Sequence, residues 1–305
     1  MQSMKAKDLD ALVVGNVGID TNVYLPHGSL DLEKEGHFTE NLDCVGQAGG
    51  FSARGYAQLG YKTAFIGYIG EDFSGDFIKR EFASDGINTE GLMIDPAGTG
   101  RSVNLVYPDG TRRSFYDGKS HLHLKPDLEH CRSLLGRARL GHFSIPDWAR
   151  TLLPAAREAG MVISCDLQDI PTLEDPYRED FIRESDILFF SGSNLENPEA
   201  LIEQILSLYP DKLILAGLGE RGCALGTKQG IRHYPPIHMD RPIVDTNGAG
   251  DSLAVGFLSS YILEKKDPEE SVKRGQICAR YACSLKATSS DLITREQLEN
   301  YYYSA

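Results

Sequence analysis

The chain has 305 residues, 41% of them hydrophobic, enough for a substantial buried core in one large α/β domain or a domain with a smaller appendage. Its 31 basic and 44 acidic side chains leave a formal charge of −13, which disfavours nucleic acid and anionic membrane and favours small-molecule partners. Cys44, Cys131, Cys165, Cys223, Cys278 and Cys283 form no Cys-x-x-Cys pair, no apolar run reaches bilayer length, and the opening Met1-Gln2-Ser3-Met4 carries no apolar leader, so a cytoplasmic protein with reduced thiols is expected.

In chain order, Ala11–Val14 reads as a short buried strand. The turn Gly15-Asn16-Val17-Gly18-Ile19-Asp20 follows, placing a carboxylate just past a strand's carboxyl end, where Asp20 could either bind a ligand hydroxyl or shape the turn. Residues 22–45 alternate and are rich in turn formers, and Gly49 and Gly50 precede a predicted helix over Phe51–Leu59. A strand over Thr63–Ile66 runs into the glycine-spaced segment Gly67 to Gly75 and a helix over Phe73–Ser84. Residues 100–116 alternate again, with Pro108-Asp109-Gly110 as a hairpin tip. Beyond them lie a helix over Ala149–Ala159, strands over Met161–Cys165 and Ile187–Phe190, a helix over Pro198–Tyr209 and a strand over Lys212–Ala216. Strands alternating with helices predict a largely parallel sheet covered on both faces, with 22–45 and 100–116 standing outside it. The pair His121 and His123 reads as exposed loop, and Tyr301-Tyr302-Tyr303 as a docked C-terminal segment.

Gly217-Leu218-Gly219-Glu220-Arg221-Gly222 matches the spacing of a dinucleotide-binding loop. That chemistry requires a helix to start at the loop, so that its dipole meets the pyrophosphate. Here Cys223 to Tyr234 alternates around Lys228-Gln229-Gly230, a hairpin pattern, which rules the dinucleotide reading out.

The most informative run is Asp245-Thr246-Asn247-Gly248-Ala249-Gly250-Asp251, which leads into an apolar-periodic helix over Ser252–Leu263. Unpaired amides at a helix N-terminus attract anions, and glycines let the main chain approach a phosphate closely. Asp251, in the first turn, could take the proton of an attacking hydroxyl or simply cap the helix.

This run resembles the second signature of the ribokinase-like, PfkB-type carbohydrate kinases, Asp-Thr-x-Gly-Ala-Gly-Asp. The segment Gly67 to Gly75 is similar to the family's first signature, and together they spread the likeness from Gly15 to about Leu298. The resemblance implies a single α/β domain over residues 1–305, with a three-layer fold, a mostly parallel central sheet, and a small β-lid from residues of about 22–45 and 100–116 that covers the sugar and serves in a possible homodimer. It implies Asp251 as general base, Gly248, Ala249 and Gly250 as anion hole, Asp20 in substrate binding, and Gly49 and Gly50 as hinge and sugar contacts. ATP and magnesium are the implied cofactors, with Gly219 and Gly222 beside the nucleotide phosphates.

Four places depart from the family pattern. Ser191-Gly192-Ser193-Asn194 stands where Asn-x-x-Glu is usual, so Ser191 and Asn194 take those nucleotide-side positions. Gly217 replaces a Thr, and Arg54 replaces a substrate-facing Asn. A guanidinium at position 54 would select an anionic substrate if it faces the pocket, or turn to solvent if it does not. The fourth departure concerns a monovalent cation, such as K+, implied beside Asp245 and Asn247. The later segment that helps to hold it in the family is here Ala287-Thr288-Ser289-Ser290-Asp291. The expected activity is ATP-dependent phosphorylation of a sugar hydroxyl, with a nucleoside kinase and a non-catalytic sugar or nucleotide sensor as the alternatives.

Overall fold

The computed structural model describes residues 7–31, 33–170 and 172–304 and, within them, every side chain but that of Thr288. Residues 1–6, on which the expectation of no leader partly rests, lie outside that range. Strands β1 (Leu9–Val14), β2 (Gly18–Tyr24) and β3 (Glu40–Gly46) lead into helix α1 (Gln47–Gln58). Next come β4 (Thr63–Ile69), α2 (Phe73–Ser84), β5 (Asn88–Ile94) and the hairpin of β6 (Gly100–Val106) and β7 (Arg112–Asp117). The second half runs α3 (Leu128–Leu135), β8 (Ala138–Phe143), α4 (Leu153–Glu158), β9 (Val162–Asp169), α5 (Glu179–Glu184), β10 (Ile187–Ser191), α6 (Pro198–Leu208) and β11 (Leu213–Gly217). The hairpin of β12 (Cys223–Thr227) and β13 (Gly230–Tyr234) precedes α7 (Ala249–Leu258), α8 (Pro268–Ala282) and α9 (Arg295–Ser304).

The large sheet has the order β13-β12-β11-β10-β9-β8-β1-β4-β5, parallel from β5 to β11 and antiparallel in the closing hairpin. Strand β1 explains the three layers, because it is apolar on both faces. Ala11 and Val13 join one core with residues of α1, α2, α7 and α8, such as Tyr56, Phe82, Phe257 and Val272. Leu12 and Val14 join the other, with Leu134, Leu153, Phe181 and Ile202 from α3 to α6. From β1 the chain proceeds outward through β4 to β5, and from β8 it proceeds the other way to β11. The carboxyl ends of β1 and β8 therefore flank the switch point where open α/β sheets bind ligands.

The second sheet has the order β3-β2-β6-β7 and is the lid. It begins at Gly18 rather than near residue 22, because the chain leaves β1 through a short turn and pairs at once with β3 and β6. Asp20 consequently lies within a lid strand and not on the turn after β1. Register puts Asp20, Asn22 and Tyr24 beside Ser102, Asn104 and Val106 on the inner face, and Thr21 and Val23 beside Val103 and Leu105 on the outer one. The glycine-spaced segment 67–75 fastens the lid's foot: Asp72 caps α2 through Gly75 N–H at 2.8 Å and accepts the Thr99 N–H and hydroxyl at 2.8 and 2.7 Å.

The helix expected over Ala149–Ala159 is divided into a 3-10 segment, Asp147–Leu152, and α4, since Pro154 lacks the N–H that a continuous helix would need. Strands β5 and β8 escape the hydropathy pattern. In β8 the buried His142 interrupts the apolar run and is satisfied by the Tyr56 hydroxyl at 3.1 Å. The tyrosine end docks as α9, with Tyr301 and Tyr302 packed against the core.

Candidate active site

Helix α7 starts at a left-handed Gly248, with φ at 74°. A Cβ there would also lie 2.8 Å from the Phe51 ring of α1, so glycine is required both for the turn and for seating α7 on α1. Nothing lies within 4 Å of the position a Gly250 Cβ would take, which leaves that side of the first turn open to a ligand. The Ala249 N–H leans back on Thr246 O at 3.3 Å. Thr246 is in turn gripped by the lid hairpin: its N–H and hydroxyl donate to Gly110 O at 3.1 and 2.9 Å, and Arg112 donates to its hydroxyl at 3.0 Å.

Asp251 projects from this turn and is half-buried. Burial pushes its carboxyl well above the ordinary range, the negative charge of Asp166 pushes it further, and Arg112 opposes the shift. Asp166 ends the regular pairing of β9 and is itself raised to about 6, mainly by burial. Sequence reasoning passed over Asp166, although the rule that picked Asp20 picks it too: a carboxylate directly after the expected strand Met161–Cys165.

Asp20 is buried against Gly46 and accepts a hydrogen bond from Asn247 Nδ2 at 2.9 Å. Its other oxygen, Oδ1, and the neighbouring Ser102 hydroxyl are buried without a partner among the described residues. Asn104 Nδ2 donates to Asn22 Oδ1 at 3.0 Å, completing a polar inner face on the lid. Unmet buried acceptors and hydroxyls are costly in a closed protein and suit a ligand rich in hydroxyls. Asp245, fully buried, accepts from Asn247 N–H and the Tyr24 hydroxyl, each at 2.8 Å. Gly49 and Gly50 are packing glycines: a Cβ at Gly49 would lie 2.5 Å from Asn16 O, and one at Gly50 would press on Val17 and Val45.

On the opposite flank, Ser191 ends β10 and its hydroxyl lies 3.1 Å from that of Ser193, while Asn194 and Glu196 are exposed. Gly217 to Gly222 forms a tight turn between β11 and the antiparallel β12, so no dinucleotide-binding helix begins there. A Cβ on Gly222 would strike Tyr234 O at 2.1 Å and crowd Pro235. Tyr234 and Pro235 line a cleft of about 680 Å³ together with Ile237, Lys273, Gln276 and Tyr302.

Arg54 takes neither of its two expected courses. It is buried, and its guanidinium donates to Asp85 Oδ2 at 2.6 Å, Glu81 Oε2 at 3.0 Å and Ser289 Oγ at 3.4 Å. Glu81 and Asp85 stand four residues apart at the end of α2, on one face, and that carboxylate pair draws the cation into the α1–α2 contact and away from any substrate. No cluster of three or more His, Cys, Asp or Glu side chains suited to a metal ion occurs among the described residues, His121 and His123 included.

Residues 45–295 match the profile of the pfkB family carbohydrate kinases, more than half of the chain. The chain belongs to that family. Acarbose 7(IV)-phosphotransferase of Actinoplanes sp. is 28% identical over 295 residues, 95% of this chain and 97% of that protein. Fructokinase-2 of Solanum lycopersicum is 30% identical over 259 residues, 76% of this chain and 77% of its own length. Among solved structures, the microbiome-derived acarbose kinase Mak1 superposes with a TM-score of 0.88 at 30% identity, covering 97% of this kinase and 99% of Mak1. Arabidopsis thaliana ribokinase, complexed with ribose and ATP, shares the fold at a TM-score of 0.80 and 21% identity, over 96% of this chain and 98% of its own. The protein is an ATP-dependent carbohydrate kinase with a ribokinase-like fold. Among the described residues no helix is long and apolar enough to cross a membrane.

Proposed function

We propose that this kinase transfers the γ-phosphoryl group of ATP to a hydroxyl of a carbohydrate held between the lid and the N-terminus of α7, with Asp251 as general base. The observation that carries the reading is the bond from Asn247 to Asp20: it ties the hydroxyl-accepting lid face to the turn that presents Asp251. The sugar would lie under Asp20, Ser102 and Asn104, with Gly49 and Gly50 below it. Asp251, raised in pKa by burial and by the charge of Asp166, accepts the hydroxyl proton as the oxygen attacks phosphorus. Amides at the start of α7, around Gly248, Ala249 and Gly250, stabilise the charge on the transferred group.

Asp166, the carboxylate beside the base, suits a hard, oxygen-seeking cation and is the residue that would hold magnesium, in part through its waters. Bound magnesium supplies charge neutralisation to the phosphates. Ser191, Asn194, Gly219 and Gly222 would face the nucleotide, whose base extends into the cleft at Tyr234 and Gln276. Similarity to acarbose-phosphorylating proteins over nearly whole chains supports an oligosaccharide-like substrate ahead of a free pentose or nucleoside. The partly exposed apolar outer face of the lid supports a homodimer, and the six free thiols fit a cytoplasmic setting.

The test is magnesium-dependent ADP release across acarbose, maltooligosaccharides, fructose, ribose and nucleosides. Turnover of at least one carbohydrate is expected, with kcat falling about 10²–10⁴-fold in Asp251→Asn while the ATP KM is little changed. Saturable sugar binding without turnover across the panel would instead make the protein a sensor.

A further inference from the structure

Lid and catalytic turn meet at one buried hydroxyl. Tyr24, the last residue of β2, donates to Asp245 Oδ2 at 2.8 Å and accepts the Ala287 N–H at 2.7 Å. The Lys286 ammonium lies over its ring, 5.0 Å from the centroid, and pairs with Glu40, the residue opposite Tyr24 on β3. From Asp245 the bonds continue through Asn247 to Asp20. One hydrogen-bonded chain thus joins the segment after α8, the lid, the loop that opens α7 and the carboxylate proposed to hold the sugar.

A carboxylate with no exposed surface must be met by donors or by a cation. At Asp245 both oxygens already take donors, and the group facing the same tyrosine oxygen, the Ala287 amide, is a donor as well. A monovalent cation needs several converging oxygen acceptors, whereas the position beside Oδ2 is filled by the Tyr24 hydroxyl with the Ala287 amide donor behind it, so the groups present there do not fit one.

We infer that Tyr24 is a positioning residue whose hydroxyl does at Asp245 what a monovalent cation would otherwise do, and that it couples lid placement to the geometry of the turn carrying Asp251. The inference deepens the kinase reading and rests on it for its kinetic arm alone. Neutralised by Tyr24 and Asn247, Asp245 holds Asn247 against Asp20. Without the hydroxyl the buried charge is left short of one donor, and an oxygen-sized space opens beside it.

Two measurements decide the matter, each at constant ionic strength in chloride salts of potassium, sodium, ammonium or tetramethylammonium. In the wild-type kinase, kcat and the thermal midpoint of the ligand-free protein should be the same in all four salts, within about twofold for kcat. In Tyr24→Phe, kcat in tetramethylammonium should fall about tenfold or more, the size of one hydrogen bond to a charged group, with both KM values within about twofold. Potassium or ammonium, small enough to enter the space, should restore several-fold of that loss and raise the variant's thermal midpoint; tetramethylammonium should not. Potassium activation or potassium-specific stabilisation of the wild type would overturn the inference. So would a Tyr24→Phe enzyme with unchanged kcat, or one slowed but indifferent to the cation. If the variant does not fold, the wild-type series alone decides. If no carbohydrate is turned over, the kinase reading falls while the thermal arm still tests the role of Tyr24.

Discussion

Asp251 and Asp166 repel one another, and their coupling should be visible in the pH profile. A base must be ionised, so kcat/KM should fall on the acidic side at a pH above the limb of an ordinary carboxylate, because burial and the charge of Asp166 both raise the Asp251 pKa. Asp166→Asn removes a like charge, which lowers the Asp251 pKa and should move the acidic limb to lower pH. A limb that stays in place would show that Asp166 does not act on the base. Arg54 belongs to stability instead. Arg54→Asn leaves Asp85 buried and unpaired and should cost roughly 3 kcal/mol in denaturant unfolding, the low end for an orphaned ion-pair partner because Glu81 keeps a third of its side chain in water. The KM for neutral and for anionic sugars should respond alike, in contrast to what a substrate-facing guanidinium would produce.

At the scale of the element, the first turn of α7 separates folding from function. A methyl group at position 250 meets nothing, so Gly250→Ala should leave the thermal midpoint within about 2 °C of wild type. The same methyl stands where a phosphate would approach the amides. The kinase reading therefore expects kcat to fall by about 10-fold or more, since lost oxyanion contacts cost on that scale. Equal activity in Gly250→Ala would place the phosphate elsewhere. The lid strands behave in the opposite way, because Asp20, Ser102 and Asn104 come together only through β2–β6 pairing, and changes there alter fold and site at once.

For the molecule as a whole, the outer lid face carries Val23, Val103, Leu105 and Phe115 in adjacent register, with Phe115 59% exposed. An apolar patch on the edge of a small sheet suits pairing with a second copy. Sedimentation should find a dimer for the wild type and a monomer for Phe115→Glu, with the monomer retaining its secondary structure. A wild-type monomer at micromolar concentration would remove the lid as an interface.

What the sequence determined by itself was local and periodic. Apolar runs placed most strands of the parallel sheet, alternation marked the lid and the β12–β13 hairpin, and one contiguous run carried the helix start, the glycine turn and Asp251. These signals are legible because each depends on residues within a few positions of one another. Tertiary structure decided the rest, because the deciding contacts join residues far apart in the chain. Arg54 and Asp85 are 31 residues apart, Asn247 and Asp20 are 227, and Tyr24 and Ala287 are 263. No spacing rule reads such distances. A buried charge is settled by whichever partner the fold delivers, and in this kinase the fold delivered carboxylates to Arg54 and a phenol to Asp245.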